Sequence, residues 1–260
     1  MKVDNKTFYN RLYHDKQGKY SFEVRSKTDA FKFLARKKKI DFNNKIVLDI
    51  GFGSGNILEV LKKGGAICHG VEISQTAIDR LKGQGYCLKH TGGETLPYNN
   101  EYFDMIVCSH ILEHIKNEKK ILNEIKRILK PNGLLILGVP TGKTGYNPLH
   151  FRNYSLKDIK RLSEKLDSVC IFYHNFGSSI FRFFYKINNS IIKLLASSGC
   201  PRKSFSNDTN NNTGNNYNNI FRRFYHKIIV NILLILYMID LHFINCDGIE
   251  IWCIFQRNRD

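Results

Sequence analysis

The sequence predicts an α/β fold, a doubly wound sheet of seven mostly parallel strands. Three observations predict it. From residue 46 onward, short apolar runs alternate with amphipathic stretches of helical period, the pattern of parallel strands joined by right-handed crossovers. The first run ends in a glycine-rich turn, Asp49-Ile50-Gly51-Phe52-Gly53-Ser54-Gly55, which leads straight into a helical stretch. And 260 residues are enough for one such domain with a sizeable core plus an appendage.

The elements follow in order. Residues 27–39 read as a helix with Ala30, Phe31, Leu34 and Ala35 on one face, ending in Arg36-Lys37-Lys38-Lys39, cations that compensate the dipole at a helix C-terminus. Strands are expected at 46–50, 67–72, 86–89, 103–108 and 134–139, with helices at 55–63, 74–83 and 117–129. Gly64-Gly65, Gly83, Gly85 and Pro131-Asn132-Gly133 punctuate them. A loop rich in Gly, Asn and Thr follows Pro140, and Ser155 with Asp158 forms a capping box for one more helix. Strands at 168–176 and 249–257 close the sheet.

Glycines between a strand and a helix let the backbone approach a ligand, since no Cβ intervenes, and the helix N-terminus offers N–H groups to it. This is a nucleotide-type cofactor site. A dinucleotide fingerprint needs its third glycine five residues after the first; that position is Asn56. Asp49 ends a buried strand, where a carboxylate needs a partner. The cationic amino group of S-adenosylmethionine supplies one, whereas a pyrophosphate is repelled. Glu72 closes the next strand, where a carboxylate can accept from both ribose hydroxyls. Asp49, Glu72 and Ser109 all fall at the carboxyl ends of predicted strands, where such sheets bind ligands.

Further marks extend the pattern: Glu94-x-Leu96-Pro97-Tyr98, Phe103-Asp104 opening a strand, Leu112-Glu113-His114, and Leu129-Lys130-Pro131-x-Gly133 before another strand. With Asp49, Gly51, Gly53, Gly55 and Glu72, this series resembles the class I S-adenosylmethionine-dependent methyltransferases over residues 45–176, most of all their small-molecule branch with its quinone- and glycan-associated members. The resemblance implies a Rossmann-like sheet whose last strand is antiparallel, S-adenosylmethionine as cofactor, and Asp49, Gly51, Gly53, Gly55, Glu72, Glu94 and Ser109 as its contacts. Gly92 stands where the family often has an acid that meets the adenine amino group; Glu94 or a backbone carbonyl takes that contact here. A hydroxyl acceptor usually needs a general base. The candidates are His150, in the loop after the fifth strand, His110, just beyond the fourth, and His114 of the family motif, often a structural residue at a helix start. His150 ranks first because loops at this face carry function. O-methylation of a small or lipid-linked acceptor is the leading expectation. An RNA methyltransferase and a non-catalytic methyltransferase-like partner stay as alternatives.

Composition bounds the rest. The seven cysteines are scattered with no C-x-x-C, which reads as free thiols in a reducing, cytoplasmic compartment and gives no metal-ligand spacing. The start of the chain is polar with no apolar leader segment. The net charge is +17, and residues 1–45 hold 13 Lys and Arg against 5 Asp and Glu. Such ends favour an anionic partner, but with no added RNA-binding module nucleic acid is not favoured.

Four regions result: 1–45, a helical lid and first helix; 46–176, the cofactor-binding core; 177–248, an insertion; and 249–260, the final strand and tail. In the insertion, Ile180, Phe184, Ile187, Ile191 and Leu194 recur at helical spacing. An Asn-rich linker at 203–219 follows, and then Phe221, Phe224, Ile228, Ile232, Leu236 and Ile239 beside Arg222, Arg223 and Lys227. The uninterrupted apolar part, Ile232–Ile239, is far short of the roughly 20 residues that span a bilayer. A basic amphipathic pair on an anionic membrane surface, at the inner face, is the expectation. Packing on the core, or an oligomer interface, is the competing reading of the same apolar stripes.

Overall fold

The computed structural model describes residues 22–92, 95–142, 149–176, 232 and 249–259. The lid segment before residue 22, Glu94 and the insertion save for Ile232 lie outside the described residues.

In chain order the elements are α1 (Phe22–Lys37), β1 (Ile46–Ile50), α2 (Asn56–Lys63), β2 (Ile67–Glu72), α3 (Gln75–Leu81), β3 (Cys87–His90), β4 (Phe103–Ser109), a 3₁₀ turn (Leu112–His114), α4 (Glu118–Ile128), β5 (Leu129–Pro140), α5 (Leu156–Lys165), β6 (Ser168–Phe176) and β7 (Glu250–Arg257). The seven strands form one sheet in the order β3-β2-β1-β4-β5-β7-β6. Strands β1 to β5 pair in parallel. β7 runs antiparallel to both β5 and β6.

Strand alternation builds two cores, because successive side chains point to opposite faces. Leu48, Ile50, Ile106, Leu135 and Leu137 face α4 and α5, which contribute Ile121, Leu122, Ile125, Ile159 and Leu162. Val47, Met105, Val107, Ile136 and Trp252 face α1 and α2, which contribute Ala30, Phe31, Leu34, Ile57, Leu58 and Leu61. Both faces are covered, as a parallel sheet requires.

Two elements differ from their sequence-based bounds. α1 starts five residues earlier than residue 27, and Arg36 and Lys37 occupy its last turn. β5 begins at Leu129 instead of residue 134: its register on β4 jumps from Phe103↔Leu129 to Met105↔Leu134. The Pro131-Asn132-Gly133 segment bulges there, with Asn132 at φ 58, while the chain on either side stays laddered. Proline lacks the N–H for a regular ladder, so the strand bends instead of starting afresh. The capping box at Ser155 is present, with both reciprocal hydrogen bonds. Ser155→Ala is expected to cost about 1 kcal/mol, readable as a lower urea midpoint; an unchanged midpoint would show that α5 is held by packing alone.

Candidate cofactor and acceptor site

The sheet order reverses between β1 and β4, since the chain winds outward from β1 to β3 and then returns to the other side. A cavity of about 400 Å³ opens there, at the carboxyl ends of the parallel strands, where open α/β sheets bind ligands and within the size range of small-molecule sites. Asp49, Gly51, Gly53, Glu72, Ser109, His110 and His114 line it. Glu94 lies outside the described residues. Gly55 caps α2 with φ 78 and closes the glycine turn through its N–H to the Phe52 carbonyl at 2.8 Å.

The glycine turn is built for close approach. Gly51 has φ 70 and Gly53 φ 52, left-handed values that L side chains rarely adopt. A Cβ on Gly51 would lie 2.0 Å from Ile111 Cδ1. No side chain caps α2, so its first turn faces the cavity through Asn56 and Ile57. Glu72 is nearly buried and ties the turn to β2. Its Oε2 accepts from the Gly53 N–H at 2.9 Å, and its Oε1 accepts from Ile73 and Ser74 at 2.8 and 3.0 Å. Burial raises its pKa against these bonds. Asp49 is likewise buried, at 2 % exposure, and its carboxyl is pushed well above the usual range by burial and by the charge of Glu72. Two adjacent buried carboxylates in a cavity call for a ligand with a cationic group and hydroxyl donors, which S-adenosylmethionine carries. Its ammonium fits Asp49, and its ribose fits the remaining lone pairs of Glu72.

Glu72→Gln should therefore weaken S-adenosylhomocysteine binding by about 1.5–3 kcal/mol, the range for hydrogen bonds to a charged group. Calorimetry on the folded variant measures this, and an unchanged affinity would remove Glu72 from the ribose contact.

The other wall of the cavity holds the histidines. His110 adopts φ 55, and its N–H donates to the Gly138 carbonyl at 2.8 Å. Its ring lies between two buried carboxylates: Nε2 is 2.5 Å from Glu250 Oε2 and Nδ1 is 3.4 Å from Glu113 Oε1. Burial and Lys27 work to lower its pKa, but Glu250 and Glu113 outweigh them and hold it above the ordinary value. With a carboxylate facing each ring nitrogen, His110 is poorly placed as a free base. The His114 Nδ1 sits 3.2 Å from the Leu149 carbonyl. A carbonyl only accepts, so the neutral ring carries its proton on Nδ1 and its lone pair on Nε2. Burial lowers the His114 pKa. His150 is absent from the cavity lining and stands behind His114, ring centres 4.7 Å apart. Tyr154, near His150 in sequence, is buried and donates to Glu118 at 2.8 Å, a packing role.

Several site residues escaped the sequence reading. Lys27 and Thr28 of α1 line the cavity, and Glu250 reaches His110 from β7. Arg152 binds the carbonyls of Leu112, Ile115 and Lys116 at 2.7, 2.6 and 2.8 Å, while the Phe151 N–H donates to the Glu113 carbonyl at 2.7 Å. These bonds stitch the loop after β5 to the turn after β4. The capping role of Arg152 for a 3₁₀ turn was hidden in a loop with no local pattern.

Comparison with known proteins agrees with this geometry. Residues 48–137 match the family model described as a methyltransferase domain. The chain is similar to the ubiquinone biosynthesis O-methyltransferase of Coxiella burnetii, 32 % identical over 107 residues, covering 38 % of this chain and 45 % of that protein. It thus spans about half the length of the curated relatives that it matches. Among solved structures, an S-adenosylmethionine-dependent methyltransferase from Archaeoglobus fulgidus aligns with a TM-score of 0.55 at 17 % identity, covering 98 % of this chain and 100 % of that one. The phosphoethanolamine N-methyltransferase 2 of Haemonchus contortus, in complex with S-adenosylhomocysteine, aligns at 0.58 and 16 % identity, covering 100 % of this chain and 61 % of that one. Sheet order, glycine turn, paired carboxylates and family match agree: residues 48–137 carry a methyltransferase domain, on the fold of solved S-adenosylmethionine-dependent methyltransferases.

Proposed function

We propose that this chain transfers the methyl group of S-adenosylmethionine to a hydroxyl oxygen of a small or lipid-linked acceptor. The observation that carries the proposal is one cavity with carboxylates and a glycine turn on one wall and histidines on the other. When bound, the cofactor supplies an electrophilic methyl group on a sulfonium. Asp49 holds the amino group, Glu72 and the Gly53 backbone orient the ribose end, and the apolar contacts of Ile50, Phe52 and Ile73 exclude water. The acceptor enters from the side of His110 and His114. An O–H acceptor must lose its proton as the new C–O bond forms, and the His114 Nε2 lone pair serves this. The name of the Coxiella burnetii relative, an O-methyltransferase, supports oxygen over nitrogen.

Calorimetry tests the cofactor half. Micromolar affinity, about −8 kcal/mol, is expected for S-adenosylmethionine and its demethylated product. No heat with either, together with binding of NAD, would overturn the proposal.

For the insertion at 177–248, peripheral attachment to anionic membranes is the reading proposed from its basic, apolar-striped sequence. Among the described residues no helix is long and apolar enough to cross a membrane. Wild type is expected to float with anionic vesicles, to detach as salt screens the charges, and to stay in solution once Arg222, Arg223 and Lys227 are neutralised. No flotation, with a stable dimer, would favour the protein-interface reading.

A further inference from the structure

Glu113 is the most anomalous charge among the described residues. It is fully buried at 0 % exposure, and neither carboxylate oxygen has a hydrogen-bond partner among the described residues. Its Oε1 stands 3.4 Å from His110 Nδ1 and 3.9 Å from His114 Nε2. His110 does not balance it alone. That ring is shared between two carboxylates: its Nε2 faces Glu250 at 2.5 Å and its Nδ1 stands 3.4 Å from Glu113. A buried carboxylate whose oxygens accept no hydrogen bond is costly, and a cation bound at those oxygens would offset that cost.

Two nitrogen donors stand beside the same carboxylate. One ligand atom each from Glu113, His114 and His150 lies within 4.8 Å of the others. The Leu149 carbonyl fixes the His114 tautomer and leaves Nε2 as the lone-pair atom, 3.9 Å from Glu113 Oε1. His150 is bonded to the Asn153 side chain. Each imidazole thus has an outer partner that orients it, the arrangement found around metal-binding histidines.

We propose that Glu113, His114 and His150 form a divalent metal site at the acceptor end of the cavity. Two imidazole nitrogens and one carboxylate oxygen suit zinc or a neighbouring transition metal over magnesium or calcium, which prefer all-oxygen shells. Donors about 2.0–2.2 Å from a tetrahedral ion lie roughly 3.5 Å apart, so the cluster closes on an ion by a contraction of about an ångström, within reach of a loop residue such as His150. Three protein donors leave a fourth position open, and His114, itself in the cavity wall, directs it toward the acceptor. There the ion would polarise an acceptor hydroxyl and make it more acidic. Metal binding stands independently of the methyl-transfer proposal; only this last role rests on it.

The test uses the full chain, stripped with a chelator, and Zn²⁺ and Co²⁺ as probes. One equivalent of Zn²⁺ should bind with micromolar or tighter affinity and raise the melting temperature. Co²⁺ should give the visible absorption of a low-coordinate nitrogen–oxygen site. Glu113→Gln and His150→Ala should each weaken Zn²⁺ binding by roughly 100-fold or more, beyond the 10–100-fold carried by outer partners, and His174→Ala, on β6, should leave it unchanged. Should Glu113→Gln not fold, His150→Ala decides. No Zn²⁺ binding by wild type, wild-type affinity in a folded Glu113→Gln or in His150→Ala, or equal loss in His174→Ala would each overturn the site. S-adenosylhomocysteine binding, measured on the same metal-free samples, reports separately on the cofactor pocket.

Discussion

Gly53→Val is expected to abolish binding of S-adenosylhomocysteine while the protein remains folded. Gly53 sits at φ 52, a left-handed conformation that costs an ordinary residue roughly 1–2 kcal/mol and suits a β-branched one least. Valine would relieve that strain by turning the backbone. The Gly53 N–H would then leave the Glu72 carboxylate that it now meets at 2.9 Å, releasing the contact that orients Glu72 toward the ribose. If the turn held instead, the valine side chain would occupy the cavity that Gly53 lines. Either route loses more than about 2.7 kcal/mol of binding, a hundredfold at roughly 1.4 kcal/mol per decade. Calorimetry measures the loss and thermal denaturation checks the fold. A folded variant with wild-type affinity would mean that the glycine turn is not the cofactor site.

The largest effect on stability is expected from Trp252→Ala. Trp252 is fully buried on β7 and lies flat over Gly138 of β5, where a Cβ would come within 2.7 Å of its ring. Truncating a buried Trp typically costs about 3–5 kcal/mol through lost transfer energy and the cavity left behind. Its indole Nε1 is buried with no hydrogen-bond partner among the described residues; removing that donor relieves a desolvation cost and draws the effect toward the lower end. The protein has one tryptophan, so unfolding of the variant must be followed by circular dichroism in place of fluorescence. A loss below about 1 kcal/mol would mean that the β5–β7 seam repacks around the gap.

The legible part of this protein was local. Residues 46–50 and 103–108 announce themselves as strands because a β-branched apolar run needs only its own neighbours to be recognised. The glycine turn is legible because its conformation restricts residue type, and Asp49 and Glu72 because each ends a strand on the ligand-binding edge. The bounds of β5 were less legible: Pro131-Asn132-Gly133 looks like a stop, and only pairing of its flanks with β4 makes it a bulge. The sequence shows the candidate bases, but not their roles. Histidine chemistry depends on what faces each nitrogen, and those partners lie far along the chain.

By itself the sequence determined the fold class, the order of strands and helices along the chain, the glycine turn and the two carboxylates at the strand ends that line the cavity, since period, turn chemistry and strand ends are properties of contiguous residues. Only the tertiary structure decided the other wall of the cavity. β7 runs antiparallel to β5, with Glu250 opposite Pro140 and Trp252 opposite Gly138, and Gly138 in turn opposite Ser109. An antiparallel strand begins at the edge where parallel strands end, so Glu250 arrives beside His110 from 140 positions away and faces its Nε2 at 2.5 Å. In the same way the Phe151 N–H and the Arg152 guanidinium, each bonded to backbone carbonyls of the turn after β4, draw His150 to His114 and Glu113. Contacts between residues so distant in sequence are set by sheet order and register, which no single segment encodes.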